Sequence, residues 1–302
     1  MSTLPVIAAV DGSDDSLVAL DWAFETALLR EAPLRVVHVQ QYAAWAGPEI
    51  TPPGQPESAN DPVLDAVRRY LEGRVEQPAV EYSALAGAAG TVLPELGSTA
   101  QLLVLGSRGR GGFASLLLGS SGVAAARDAE CPVVVVPKPG REVDDDTLPI
   151  EPGPRVVVGL QVDSPDEATL SFAFAEAARR GARLQAVAAY AWPLHVWTAA
   201  TAQVVAPLAD QEAIEAETRV LADGLLAPHR ERHPDVRAES YVAPGDAAGT
   251  LVAASRDATL VVVGRHRRRL LAPARMMGSV TQAVLLHAAA PVAVVPPVQM
   301  EA

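Results

Sequence analysis

The residues whose spacing could do chemistry lie between positions 106 and 121, which read Gly106-Ser-Arg-Gly109-Arg-Gly-Gly-Phe-Ala-Ser-Leu-Leu-Leu-Gly119-Ser120-Ser121. Glycine at 106 and 109 removes the Cβ that would hold backbone N–H groups away from an anion, and phosphate oxygens require that close approach. Helical spacing starts at the serines, so Gly119-Ser120-Ser121 opens a helix whose first N–H groups have no intrahelical partner. That is a second anion site, with two hydroxyls able to donate. Arg108 and Arg110 share the loop and either offset phosphate charge or stand solvated. Much earlier, Val10-Asp11-Gly12-Ser13 closes an apolar run. There Asp11 either accepts hydrogen bonds from a ribose or an adenine amino group, or caps the helix that follows.

The elements that position these residues alternate. Short, β-branched-rich runs at Val6–Val10, Leu34–Val39, Ala79–Tyr82, Leu102–Leu105 and Val133–Val136 predict strands, and the longer stretches Ser16–Arg30, Asp61–Arg74 and Ser120–Ala129 carry helical spacing. Strands apolar on both faces belong in a parallel sheet covered by helices on each side. Five of them in about 135 residues predict a doubly wound, three-layer α/β domain, which binds ligands at the strand C-terminal ends. The glycine loop and Asp11 both follow strands there.

The pattern then repeats. Val6-Ile-Ala-Ala-Val10 recurs as Val156-Val-Val-Gly-Leu160, Ala88-Ala-Gly-Thr91 as Ala247-Ala-Gly-Thr250, Leu102-Leu-Val-Leu-Gly106 as Leu260-Val-Val-Val-Gly264, and Cys131-Pro-Val-Val-Val-Val-Pro137 as Ala290-Pro-Val-Ala-Val-Val-Pro296. Two copies of one domain account for this, residues 1–137 and 155–302, with an insertion near 190–211 in the second. Between them, 138–154 holds prolines and three consecutive aspartates and reads as a solvated linker.

Composition narrows the function. The 302 residues carry a net charge of −12, with 8 basic against 16 acidic residues in 1–137, so nucleic acid is a poor partner for the first copy. No apolar stretch reaches the roughly 18 residues that span a bilayer, and no secretory signal is visible, so a cytoplasmic location is expected. Cys131 is the single cysteine, which removes an internal disulfide and a cysteine-cluster metal site; no metal site is expected. The single lysine, Lys138, lies in the linker, so the P-loop lysine of phosphoryl-transfer enzymes is missing, and the six histidines are scattered. His38, in an apolar strand, is expected in the core or on a crevice wall. No catalytic residue is assigned.

Gly106, Gly109, Gly119 and Ser120, together with the strand pattern and the tandem repeat, resemble the universal stress protein family. Its nucleotide-binding members carry G-x-x-G, nine residues, then G-S or G-T, a spacing matched here without a gap. The resemblance implies strand order 3-2-1-4-5 in each copy and an ATP site in the first. In that site Ala9, Val10 and Asp11 hold the adenosine, Val39 packs on adenine, and Gly106, Arg108, Gly109, Gly119, Ser120 and Ser121 surround the phosphates, with or without Mg²⁺. It also implies that strand 133–136 pairs with an equivalent strand, for which the second copy offers 292–295. An unpaired valine strand would be an aggregation hazard, so physics asks for the same partner.

The second copy departs from the pattern. Arg267 replaces the second glycine, Gly278-Ser279 arrives one residue late, and Gln161 stands where the first copy has Asp11. Gly264, Gly278 and Ser279 are therefore expected to form a weak or degenerate site. Three functions remain open: an ATP-dependent stress sensor or switch read by protein partners, with or without a homodimer; a slow ATPase; and a scaffold that binds no nucleotide.

Overall fold

The computed structural model describes residues 3–40, 58–109, 118–141, 143, 151–190, 196–198, 203–205, 210–265 and 277–297. Its first half runs β1 (Val6–Val10), α1 (Asp14–Leu29), β2 (Leu34–Gln40), α2 (Pro62–Leu71), β3 (Val80–Ala86), α3 (Ala89–Glu95), β4 (Leu102–Gly106), α4 (Ser120–Asp128) and β5 (Val133–Val136). The second half runs β6 (Arg155–Gly159), α5 (Glu167–Arg179), β7 (Arg183–Tyr190), β8 (Val196–Thr198), β9 (Gln203–Val205), α6 (Gln211–Arg232), β10 (Ala238–Pro244), α7 (Ala247–Ala254), β11 (Leu260–Gly264), α8 (Ser279–His287) and β12 (Val292–Val295).

Ten strands form one sheet in the order β10-β7-β6-β11-β12-β5-β4-β1-β2-β3, so each half has the expected order 3-2-1-4-5. Pairing within each half is parallel. The halves meet where β5 and β12 run antiparallel, with Val133 opposite Val294, Val134 opposite Ala293 and Val135 opposite Val292. The two valine strands thus cover each other's edges, as their composition demands.

Side chains alternate across the sheet and feed two cores. Val6, Ala8 and Val10 meet Leu20 and Phe24 of α1 and Leu64 of α2, a layer that α5 and α6 continue in the second half. Ile7, Val37 and Leu103 meet Leu93 of α3 and Ala125 and Ala126 of α4, a layer that α7 and α8 continue. Helix starts follow local chemistry. The Ser13 side chain accepts from the Ser16 N–H ahead of Asp14 and Asp15 in the first turn of α1, and Asp61 caps α2 with Pro62 at its first position.

Several features differ from the expectations raised by the sequence. The third strand extends to Ala86 rather than ending at Tyr82, and α2 stops at Leu71 rather than Arg74. Helix α3 was not expected, because it is short, lacks a side-chain cap and contains Pro94. The insertion after β7 contains an antiparallel hairpin, β8 with β9. The linker also does more than float, because Arg141 donates to the Leu286 and Ala288 carbonyls at 2.8 and 3.2 Å, closing the end of α8. No helix among the described residues is long and apolar enough to cross a membrane.

Candidate functional site

The chain order reverses between β1 and β4, so their C-terminal ends diverge into a crevice at the centre of the first half. Asp11 stands on one side of it. Its Oδ1 accepts from the N–H and hydroxyl of Ser13 at 3.0 and 2.6 Å, which fixes the carboxylate over the turn. Asp11 is therefore not the cap of α1; Ser13 takes that role and Asp11 holds Ser13 in place.

Gly109 stands on the other side, and a Cβ there would lie 2.5 Å from Asp11 Oδ2. With glycine the backbone passes that oxygen without displacing the carboxylate. Two positions far apart in the chain thus meet at the rim of the sheet. Gly106 has a different reason to be glycine, since its Cβ would lie 2.7 Å from the carbonyl oxygen of Asp15 in the first turn of α1. Its missing side chain serves helix–strand packing.

Beyond the loop, α4 starts at Ser120 with Gly119 as N-cap and no side-chain cap. The Gly119 N–H itself is taken, donating to the Ser107 carbonyl at 2.8 Å, so the helix start is pinned to the end of β4. Ser120 is exposed and Ser121 half-buried. Ser107, which spacing did not single out, is buried between these parts, and its hydroxyl has no hydrogen-bond partner among the described residues. A buried hydroxyl of this kind is costly unless something bonds to it.

Walls and charge complete the crevice. Ala9 and Val39 are half-buried and pack on the core beneath α3 and α4, leaving apolar surface at the rim. Val10 points the other way into the opposite core, 4% exposed, and offers the site only its backbone. Arg108 is partly exposed and paired, its Nε lying 3.3 Å from Asp15 Oδ2. Arg141 joins it. Burial chiefly, and then the neighbouring Arg108 charge, push the Arg141 guanidinium below its ordinary pKa, against the pull of Asp15. Arg110 lies outside the described residues.

A model of the universal stress protein family matches residues 4–137 and, a second time, 154–296. This chain belongs to the universal stress protein family. A universal stress protein of Mycobacterium tuberculosis is 34% identical over 296 residues, covering 96% of each chain. One from Mycolicibacterium smegmatis is 31% identical over 300 residues, covering 97% of each. Among solved structures, a universal stress protein from Archaeoglobus fulgidus superposes with a TM-score of 0.60 at 16% identity, covering 97% of this chain and 98% of its own. A Pseudomonas aeruginosa structure gives 0.64 at 17%, covering 97% and 93%. These likenesses carry the fold.

The second universal stress protein domain keeps the frame and changes the contents. Gly264 faces the start of α5 as Gly106 faces that of α1, but its Cβ position meets side chains rather than backbone, 2.8 Å from Thr169 Oγ1 and 2.9 Å from Asp166 Oδ2. Helix α8 starts after Gly278 without a side-chain cap, and the Thr281 hydroxyl donates to the Gly264 carbonyl at 2.9 Å. Gln161 is exposed and makes no equivalent of the Asp11 contact to Gly109 among the described residues. Arg267 lies outside them.

One cluster beside the crevice was underrated by the sequence. His38 stands opposite Val10 across the strands, and its Nδ1–H donates to Asp61 Oδ2 at 2.6 Å. Asp61 is fully buried, and also accepts from Gln40 Nε2 at 2.8 Å and from the Val63 and Leu64 N–H groups at 2.9 and 3.1 Å. Burial alone would raise its pKa, but the hydrogen bonds from Gln40, His38 and Leu64 prevail and hold it below the usual carboxylate range. A depressed carboxylate stabilises the fold above its unfolded pKa, near 3.9, and that stabilisation disappears as pH falls through the folded value. Thermal melts are therefore expected to show a steep loss of stability below about pH 4. Asp61→Ala should remove roughly 2 kcal/mol at pH 7 and flatten that acid limb. A variant melting with the wild-type pH profile would contradict this.

Cys131 does not contribute chemistry. Burial pushes its thiol up to about 12, leaving it a packing residue at the start of β5.

Proposed function

We propose that the first domain binds ATP and that the protein acts as a nucleotide-dependent switch in the stress response. The observation that carries this reading is the meeting of the Asp11 carboxylate with Gly109 at the sheet's switch point, beside an α4 start that no side chain caps. A fixed carboxylate at the end of β1 suits a ribose or an adenine amino group. The half-exposed Ala9 and Val39 suit the flat apolar base. The N–H groups of the α4 start, the Ser120 and Ser121 hydroxyls and the loop at Gly109 suit the phosphates, with Arg108 supplying positive charge. The Ser107 hydroxyl is an additional donor. The spacing from Gly106 to Ser120 is that of the family's nucleotide-binding members, which supports ATP over a generic anion. Any Mg²⁺ would arrive as the nucleotide complex, because among the described residues no group of three His, Cys, Asp or Glu side chains is gathered to hold a metal.

Residues 1–137 and 155–302 act as separate domains in this reading, joined by 138–154. The second, lacking the counterpart of Asp11, is a weak or empty copy. The test is to denature freshly purified protein and quantify released nucleotide by chromatography. About one ATP per chain is the expected result. About two would show that the second domain binds as well, and none, followed by a calorimetric titration silent to added ATP, would overturn the proposal in favour of a scaffold.

A further inference from the structure

The first residue after β11 ties the second domain to the C-terminal end of α4, whose other end opens on the first domain's candidate site. Arg265 follows Gly264, where the second domain's own glycine loop begins, and its N–H donates to the Val295 carbonyl. Its side chain leaves that loop. Nη1 donates to the carbonyl of Arg127 at 2.7 Å and to that of Ala129 at 2.8 Å, both at the C-terminal end of α4. The antiparallel join between β5 and β12 makes this contact natural, because it turns the second domain upside down and brings its loop end against the helix ends of the first.

Helix α4 is held along its length mostly by small residues: Gly122, Ala125 and Ala126 are buried and Val123 packs half-buried on the core, so its ends matter for fixing it along its axis. One end is tied by the Gly119 N–H to Ser107, and the other is held by the Arg265 cation, which satisfies helix carbonyls and complements the negative end of the dipole. Nine residues span about 14 Å, a rigid rod at this length, so a shift at one end moves the other.

We propose that Arg265 is a positioning residue for the first domain's nucleotide site: through α4 the second domain sets the affinity of the first, the Arg265 side chain serving as a clamp. This rests on the ATP reading above. In the opposite direction, Arg141 closes the end of α8 while sharing the field of Arg108 and Asp15, so each helix that starts at a Gly-Ser pair ends under an arginine set near the other domain's loop.

The test uses the full chain and ATP titration calorimetry. Arg265→Ala is expected to raise the ATP Kd about fivefold, and Arg265→Lys, which keeps the charge and a donor, to recover most of it. A purely structural arginine would lower the melting temperature and leave Kd unchanged, and that result would overturn the proposal. If Arg265→Ala does not fold, hydrogen exchange on the wild type decides. ATP must slow amide exchange in the last turn of α4, residues 125–128, as well as in its first. Protection confined to the first turn would overturn the clamp. Wild-type protein that binds no ATP at all would instead remove the reading on which the clamp depends.

Discussion

Gly109→Ala should weaken ATP binding by about tenfold or more, and lower affinity more than stability. The added methyl would stand 2.5 Å from Asp11 Oδ2, well inside any tolerated contact, so either the loop lifts or the carboxylate turns away. Turning the carboxylate breaks its bonds to Ser13 and disturbs the first turn of α1; lifting the loop withdraws its N–H groups from the anion. Small insertions into tight sites cost about 1–3 kcal/mol, and each 1.4 kcal/mol is a tenfold change in affinity. Because Gly109 lies at the surface rim rather than in either core, the unliganded protein should melt within a few degrees of wild type. Parallel titration calorimetry and thermal melts of the two proteins measure both quantities. Equal ATP affinity in the variant would mean that the approach of Gly109 to Asp11 has no part in binding.

The largest stability effect is expected at Glu176→Ala. Glu176 in α5 is 1% exposed, and its carboxylate receives Arg30 of α1 at 2.7 Å, Arg180 at 3.1 Å and Arg179 at 3.2 Å. Arg180 crosses to the first domain as well, donating to Thr26 Oγ1 at 2.9 Å and lying 4.6 Å from the Trp22 ring centre, while Arg30 lies 5.6 Å from Phe172 of the second domain. The helices α1 and α5 are thus joined across the domain boundary by one carboxylate shared among cations. Burial pushes the Arg30 guanidinium below its ordinary pKa, and Glu176 counters that. Removing Glu176 leaves two nearly buried positive charges facing each other without an anion, a loss of about 3–5 kcal/mol. In a chain of 302 residues that corresponds to a fall of about 5–8 °C in melting temperature. A drop of less than 2 °C would show that the arginines find water or another anion when the glutamate is gone.

The frame was legible because its signals are local. Short β-branched-rich runs such as Val6–Val10 and Leu102–Leu105 read as buried strands by length and composition, and the repeat of those runs reveals two copies without any structure. The order of the strands came with the family resemblance, since periodicity alone does not order strands. Helix α3 was hidden by Pro94 and by an uncapped start at Ala88. The hairpin in the second domain was hidden because three-residue strands leave no pattern.

At the site, residue types were readable and relationships were not. Spacing singled out Gly106 and Gly109 together, yet the structure uses them differently, one against the α1 backbone and the other beneath Asp11. Asp11 had two open roles that only the Ser13 contacts separate. Ser107 and Arg141 gave no signal, because an orphaned hydroxyl or a carbonyl held from another domain is a property of the folded surroundings. The pairing of His38 with Asp61 was likewise invisible, since it joins a strand to a helix cap across a long loop.

The join between β5 and β12 has a consequence for how the molecule behaves on dilution. Two separate copies held by four-residue strands would come apart as their concentration fell, and each would then offer a bare valine edge to its neighbours. Tethering through 138–154 makes the encounter unimolecular, so the fraction joined is the same at trace abundance as at high abundance. The join between the two domains is therefore independent of how much of this protein a cell makes.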